Sequence, residues 1–337
     1  MTFIRVASQG SAISATFSRR IVPCSITLFS TSSIEATEPE QQPVILQSWI
    51  PSSLHDSEGK HNEFAIKLLT LNRPKAANSI NRAMLSALNE AMDDVLRSLD
   101  NDSDDGNPIC SAVIVDSSSN KVFCAGADLK ERATMAQEEA AEFVTSLRNS
   151  FVRLARLPVP VIAAVNGAAF GGGLEMALAA DLRVSGKNAS FGLTETSLAI
   201  IPGAGGTQRL PRLIGVSRAK DMIFRARRIT ASTAYDYGLI DYLVNDNDSC
   251  SKEEAIALAR DISKNGPLAI RAAKCAIDEG IDKSMGHFRS ERKNDTSVGI
   301  NAMEIERKWY SSIIPTEDRL EGLAAFREKR NPTYKGR

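Results

Sequence analysis

Residues 160–209 read PVIAAVNGAAFGGGLEMALAADLRVSGKNASFGLTETSLAIIPGAGGTQR, and the fold is decided there. The stretch opens on an apolar, β-branched run from Val161 to Val165, the pattern of a buried strand. An Asn166-Gly167 turn signal follows, and then three consecutive glycines, Gly171 to Gly173. The pattern predicts a helix starting at the glycines, whose first backbone N–H groups have no partner inside the helix and face whatever docks there. Glycine allows that close approach because it has no Cβ.

Two acids accompany this turn. Glu175 stands directly behind the glycines, and Glu195 lies 20 positions on, after the strand-like DLRVSG. Leu174 and Met176 flank the first, while Leu193 and Leu198 lie close to the second. A carboxylate in apolar company is poorly hydrated, which raises its proton affinity and suits it to acid/base work near neutral pH. The pair is a candidate for handling one water molecule. The competing reading is that each acid caps a turn or meets an arginine such as Arg183 or Arg209.

Outward from this centre, strands and helices alternate. FAIKLLTL at 64–71 reads as a strand ended by Asn72-Arg73-Pro74, and AVIVD at 112–116 as a second buried strand. Met84, Leu85, Leu88, Met92, Val95, Leu96 and Leu99 fall on one helical face over 81–99, and a helix is expected over 138–156. The alternation implies an α/β class. Beyond Arg209 the strand signal fades and helices are expected at 217–225, 232–237, 252–264, 267–279, 302–310 and 318–329. Such a set of amphipathic helices packs on a neighbouring subunit or covers its own core.

Composition bounds the partners. Lys plus Arg equals Asp plus Glu, 41 each in 337 residues, so no overall field favours nucleic acid or an anionic membrane. The five cysteines contain no CxxC pair and the three histidines no metal spacing, which fits reduced thiols and no metal. No phosphate-binding glycine loop of the GxxxxGK[ST] or GxGxxG kind is present. Leu157 to Leu174 is uncharged over 18 positions, but Pro158, Pro160, Asn166 and the glycines break it into strand, turn and helix start rather than a membrane span. The first 34 residues carry Arg5, Arg19 and Arg20, many hydroxyl residues and no acid before Glu35, as in a transit peptide; a plain N-terminal tail is the alternative. Residues 35–62 read as a linker or a loose first strand.

The chain resembles the crotonase superfamily, the enoyl-CoA hydratase/isomerase family. The matching words are NRP at 72–74, FCAGADLKER at 123–132, AVNGAAFGGGLEMALAADLRV at 164–184, FGLTE at 191–195, IPGAGGTQRLPR at 201–212 and RLEGLAAFREKRNP at 319–332. The resemblance runs from about Phe64 to the C-terminus and is interrupted at 284–300, where the chain is longer than the family's helix connection. It implies a repeated ββα spiral core over 63–250 with a C-terminal helical region over 251–337, assembled as a homotrimer or homohexamer. It also implies that Ala127 and Gly172 supply the two N–H groups of an oxyanion hole, with Glu175 and Glu195 as the catalytic acids. Gly203 would orient the water, and Ala125, Asp128, Leu129 and Lys130 would lie along the bound coenzyme A. For Lys130 and Arg132 the alternative is plain surface solvation.

The resemblance thus implies an enoyl-CoA hydratase that adds water across the 2,3 double bond of an acyl-CoA thioester. Coenzyme A is part of the substrate and no further cofactor is expected. Fatty-acid β-oxidation in the mitochondrial matrix is the expected setting, with methylglutaconyl-CoA hydration in leucine degradation as the alternative. That second branch is associated with RNA binding through a lysine-rich helix. Here the corresponding helix sets Arg82 and Arg97 against Glu90, Asp93 and Asp94, a net acidic face unsuited to phosphate. A catalytically inert scaffold is a third possibility, opposed by the presence of both acids and the glycines.

Overall fold

In the computed structural model, which describes residues 43–52, 64–99, 108–244, 250–281, 283 and 301–337, strands alternate with helices to residue 244 and helices follow. The expected transit peptide (1–34) and the insertion (284–300) lie outside these residues. Strands β1 (Ile45–Pro51) and β2 (Phe64–Leu71) come first, then α1 (Arg82–Arg97), β3 (Ile109–Ser117), β4 (Val122–Cys124), α2 (Leu129–Arg132) and α3 (Gln137–Ala155). The central stretch supplies β5 (Val161–Val165), β6 (Ala168–Phe170), α4 (Gly172–Ala179), β7 (Leu182–Gly186), β8 (Ser190–Gly192) and a 3-10 turn at Glu195–Leu198. After it come α5 (Gly206–Ile214), α6 (Val216–Phe224), β9 (Ile229–Thr230), α7 (Ala231–Tyr237), β10 (Tyr242–Val244), α8 (Ser251–Ile262), α9 (Pro267–Gly280), α10 (Ala302–Ile313) and α11 (Glu317–Glu328).

The strands form a six-stranded sheet in the order β1-β2-β3-β5-β7-β10 and a four-stranded one in the order β4-β6-β8-β9. Pairing is parallel throughout except β1 with β2 and β8 with β9. Parallel strands are covered on both faces, and β5 is accordingly buried at every position. Because side chains alternate along a strand, Leu69, Leu71, Val113, Val115 and Val161 enter the large core with α1 and α3. Their neighbours Ile66, Leu68, Ala112, Ile114 and Ile162 face Ala255 and Ala259 of α8.

Helix α1 forms because Asn81 caps it, its side chain accepting from Met84 N at 2.9 Å, while Met84, Leu85, Leu88, Ala91, Met92 and Val95 bury one face. Truncating one of the large ones, Leu88 to alanine, costs about 2–5 kcal/mol by loss of burial and cavity formation. Helix α9 is pinned to the sheet by Lys274 Nζ, which donates to Asp181 Oδ2 at 2.6 Å and to Val159 O at 3.0 Å. The chain end is folded back by buried Asp318, which accepts from Lys335 N (2.7 Å) and Gly336 N (2.9 Å).

Two expected boundaries shift. Within the linker of 35–62, Ile45–Pro51 is a full strand, seven residues paired antiparallel to β2 through Ile45–Leu71 to Pro51–Ala65. Helix α8, grouped above with the helical region beyond 250, covers the back of the six-stranded sheet and belongs to the core. Residues 43–337 form one compact unit. Among the described residues no helix is long and apolar enough to cross a membrane.

Candidate active site

The loop after β4 is held by its backbone. Ile80 N donates to Gly126 O at 2.8 Å and Asp128 N donates to Ile80 O at 2.9 Å, a parallel bridge between Ile80 and Ala127. In such a bridge the bonding groups belong to the residues flanking Ala127, so the N–H of Ala127 itself is turned away from Ile80. Gly126 takes φ of 96°, a left-handed value that L side chains rarely adopt. Asp128, expected along the coenzyme, builds the loop: it accepts from Ser79 Oγ (3.0 Å) and Arg73 Nη2 (3.2 Å) and caps α2.

The triple glycine meets this loop from the other side. A Cβ on Gly173 would sit 2.1 Å from Cys124 O, so only glycine lets α4 approach β4 this closely. A Cβ on Gly172 would lie 3.6 Å from Ala127 N, which shows how near the two amides are. Gly172 opens α4, so its N–H has no acceptor in the preceding turn. Beneath them Cys124 is fully buried, with burial pushing its thiol up to about 12.

Ala127, Gly172, Glu175 and Glu195 share the wall of one cavity of about 1050 Å³. Glu175, on the first turn of α4, is 2 % exposed, and its Oε1 accepts from Ala204 N and Gly206 N, both at 2.8 Å. Burial raises its proton affinity above the ordinary carboxylate value, against the two amides and the positive charges of Arg209 and Arg148. Glu195 opens the 3-10 turn after β8, and its Oε2 is buried with no hydrogen-bond partner among the described residues. Burial pushes its carboxyl up to about 7, its own backbone amide pulling down and Glu175 adding to the rise.

The competing reading of the acids holds in part. Gly206 is the first residue of α5, so Glu175 does cap a helix. Neither acid is in an ion pair among the described residues: Arg183 Nη2 meets Asp241 at 2.9 Å, and Arg209 Nη1 donates to Ala204 O at 3.0 Å. Of the expected coenzyme contacts, Ala125 and Leu129 line the cavity, as does Gly203, expected to orient the water, whereas Asp128 and exposed Lys130 do not line it. Sequence reasoning missed Ala204 and Gly206 as the partners of Glu175, and Arg148, whose Nε donates to Gly203 O at 2.8 Å. The glycines of PGAGG were the available signal for the first two; nothing in the spacing marks Arg148.

A sequence model of the enoyl-CoA hydratase/isomerase family matches residues 61–337. The chain belongs to that family. It is 47 % identical over 268 residues to "Probable enoyl-CoA hydratase 2, mitochondrial" of Arabidopsis thaliana, covering 80 % of this chain and 81 % of that one. To human "Methylglutaconyl-CoA hydratase, mitochondrial" it is 43 % identical over 273 residues, 80 % of this chain and 74 % of that one. The crystal structure of enoyl-CoA hydratase from Bacillus anthracis superposes with a TM-score of 0.71 at 42 % identity, over 87 % of this chain and 100 % of that one. The chain therefore has the crotonase fold and is an enzyme of hydro-lyase type within the enoyl-CoA hydratase/isomerase family. Among its described residues no group of three or more His, Cys, Asp or Glu could hold a metal ion.

Proposed function

We propose that this enoyl-CoA hydratase/isomerase family member adds water across the 2,3 double bond of an enoyl-CoA thioester to give the 3-hydroxyacyl-CoA. The observation that carries the proposal is the single cavity that holds two amides, Ala127 and Gly172, and two acids, Glu175 and Glu195. As water oxygen bonds to C3, the π electrons move onto the thioester carbonyl oxygen, where the amides of Ala127 and Gly172 stabilise the enolate charge. A donor of this kind is worth about 2.7–4 kcal/mol in the transition state. Glu175 takes the proton that the water loses and Glu195 delivers its own proton to C2, which leaves Glu175 protonated and Glu195 ionised; after product leaves, Glu175 gives a proton to solvent and Glu195 takes one from it, so the net change is one water added. Oε1 of Glu175 is held by the amides of Ala204 and Gly206, which orients Oε2 as the base. Glu195 suits the donor's part because burial lifts its carboxyl to about 7, so that about half the molecules hold the proton at neutral pH. Ala125, Leu129 and Gly203 line the substrate's path, and the thioester brings its own coenzyme A as the only carrier group.

A short-chain enoyl-CoA of fatty-acid β-oxidation is the first substrate reading, and methylglutaconyl-CoA the second, favoured by 43 % identity to the human hydratase of that name. The mitochondrial names of similar proteins support a mitochondrial setting; the matrix and a removable N-terminal peptide are part of the proposal. Exposed Leu320, Leu323 and Phe326 on α11 support assembly as trimers or hexamers through the terminal helices. The test is the loss of crotonyl-CoA absorbance on mixing with protein. Steady hydration that Glu195→Gln abolishes supports the proposal, and wild-type protein without turnover on any enoyl-CoA refutes it.

A further inference from the structure

A second cavity, of about 240 Å³, lies where the parallel strands β3 and β5 begin, and it shares no lining residue with the cavity of Glu175 and Glu195. Its walls are largely apolar: Phe64 and Ile109 at the strand starts, Val159 before β5, Leu268 on α9 and Tyr334 from the returning C-terminal tail. Arg271 of α9 is set among them. Its Nε is buried, and its guanidinium makes no hydrogen bond or ion pair with any described residue. The neighbouring polar side chains are already engaged. Ser263 Oγ donates to Ala259 O at 2.8 Å, Ser111 Oγ to Ala65 O at 3.2 Å, Asn265 Nδ2 to Ile262 O at 3.2 Å and Lys264 Nζ to Asp261 Oδ1 at 2.6 Å.

A desolvated cation with no counter-charge is unfavourable, and burial holds the Arg271 guanidinium below its ordinary proton affinity. An anion brought in from outside offsets this. The cavity narrows which anion. A void of roughly 150 Å³ holds a benzene ring, so this one has room for such an apolar body with a carboxylate at its end. The guanidinium presents two parallel donors that match a carboxylate. Inorganic phosphate fits poorly, because its remaining oxygens would be buried against apolar walls.

We propose that this cavity is a second small-molecule site, which takes a monocarboxylate with an apolar body the size of a benzene ring, its carboxylate on Arg271 and its body between the sheet and the C-terminal tail. Because Tyr334 and Gly336 supply part of the wall, and Asp318 holds the Gly336 amide, occupancy also fastens the chain end. The site is independent of the hydratase reading.

The test titrates the full-length protein with benzoate and follows binding heat and thermal midpoint. Wild type is expected to half-saturate at about 1 mM or below. Benzamide, the uncharged analogue, should bind at least about 10-fold more weakly. Arg271→Gln should weaken benzoate about 10- to 100-fold and leave benzamide unchanged, and Arg271→Lys should recover part of the loss. Without ligand, Arg271→Gln should be as stable as wild type or more so, since it removes an unpaired buried charge. Amide exchange at 332–337 should slow on binding, and binding should persist in Glu195→Gln and with butyryl-CoA present. Benzoate that binds Arg271→Gln as tightly as wild type, that butyryl-CoA displaces, or that does not bind at all overturns the proposal. So does a ligand-free Arg271→Gln that unfolds more readily than wild type, which would give the arginine a structural partner. Inorganic phosphate binding in place of benzoate refutes the carboxylate assignment. None of these outcomes bears on the hydratase reading, which turnover on enoyl-CoA tests by itself.

Discussion

Glu175 and Glu195 face the same cavity from differently built ground. Glu175 rides on the first turn of a buried helix, and two amides at the start of the next helix fasten one of its oxygens. Glu195 rides on a short 3-10 turn and keeps a buried oxygen that no group among the described residues satisfies. Both are desolvated, so the difference lies in what offsets that desolvation. Fixed dipoles compensate the charge of Glu175, whereas Glu195 is left to hold a proton, and its carboxyl sits at about 7. Two acids of one residue type are in this way given unlike tasks by their backbones.

The strongest way to break the contrast is by activity. Glu175→Gln and Glu195→Gln are each expected to lower kcat on enoyl-CoA by about 10²- to 10⁴-fold. The double variant should lose far less than the product of the two, because the acids act as a unit. A Glu195→Gln variant with near wild-type turnover would strip that residue of its part. Stability separates the acids next. Glu175→Ala leaves the Ala204 and Gly206 amides buried without an acceptor and should cost about 2–5 kcal/mol in urea unfolding, well above the cost of Glu195→Ala, which orphans no donor.

Proton dependence then sharpens the assignment. If Glu195 must carry its proton to act, kcat/KM should fall about tenfold per pH unit above about 7, and Glu195→Gln should lose that limb. The smallest effect is on folding. The carboxyl of Glu195 is raised in the folded state, so between pH 4.5 and about 7 the native protein binds more protons than the unfolded chain, and stability falls as pH rises through that window. Glu195→Gln should therefore be more stable than wild type at pH 8, by roughly 1–2 kcal/mol, and the gain should vanish near pH 4. Equal thermal midpoints at both pH values would show that Glu195 is well solvated.

How much of this could be read from the chain depended on periodicity. Strands β2 and β5 and the helices α1, α3 and α9 stand within a residue or two of their expected places, because each carries a long, one-signed apolar pattern. Helix α5 escaped notice: it begins on Gly206 and contains Pro211, two local signals against a helix, yet it forms because Leu210 and Ile214 are buried. The two- and three-residue strands β4, β6, β8, β9 and β10 are too short for any period to register, and they exist through their neighbours in the sheet. At the site, both glutamates and the glycines were legible from residue type and local company. The partners of Glu175 were not, since Ala204 and Gly206 stand 29 and 31 positions away and act through backbone amides that carry no side-chain signature. Arg148 was hidden for a similar reason: on α3 it looks like any solvent-facing arginine until Gly203 is brought to it.

A conjugated thioester is an electrophile, and a sulfur anion would be captured at the very carbon that water is meant to reach. Cys124 immediately precedes Ala125 of the cavity wall, and its burial holds the thiol proton up to about 12. The floor that lets α4 press against β4 thereby also silences the nearest soft nucleophile. A thiol that keeps its proton at that depth is a poor nucleophile toward a conjugated thioester in the cavity beside it.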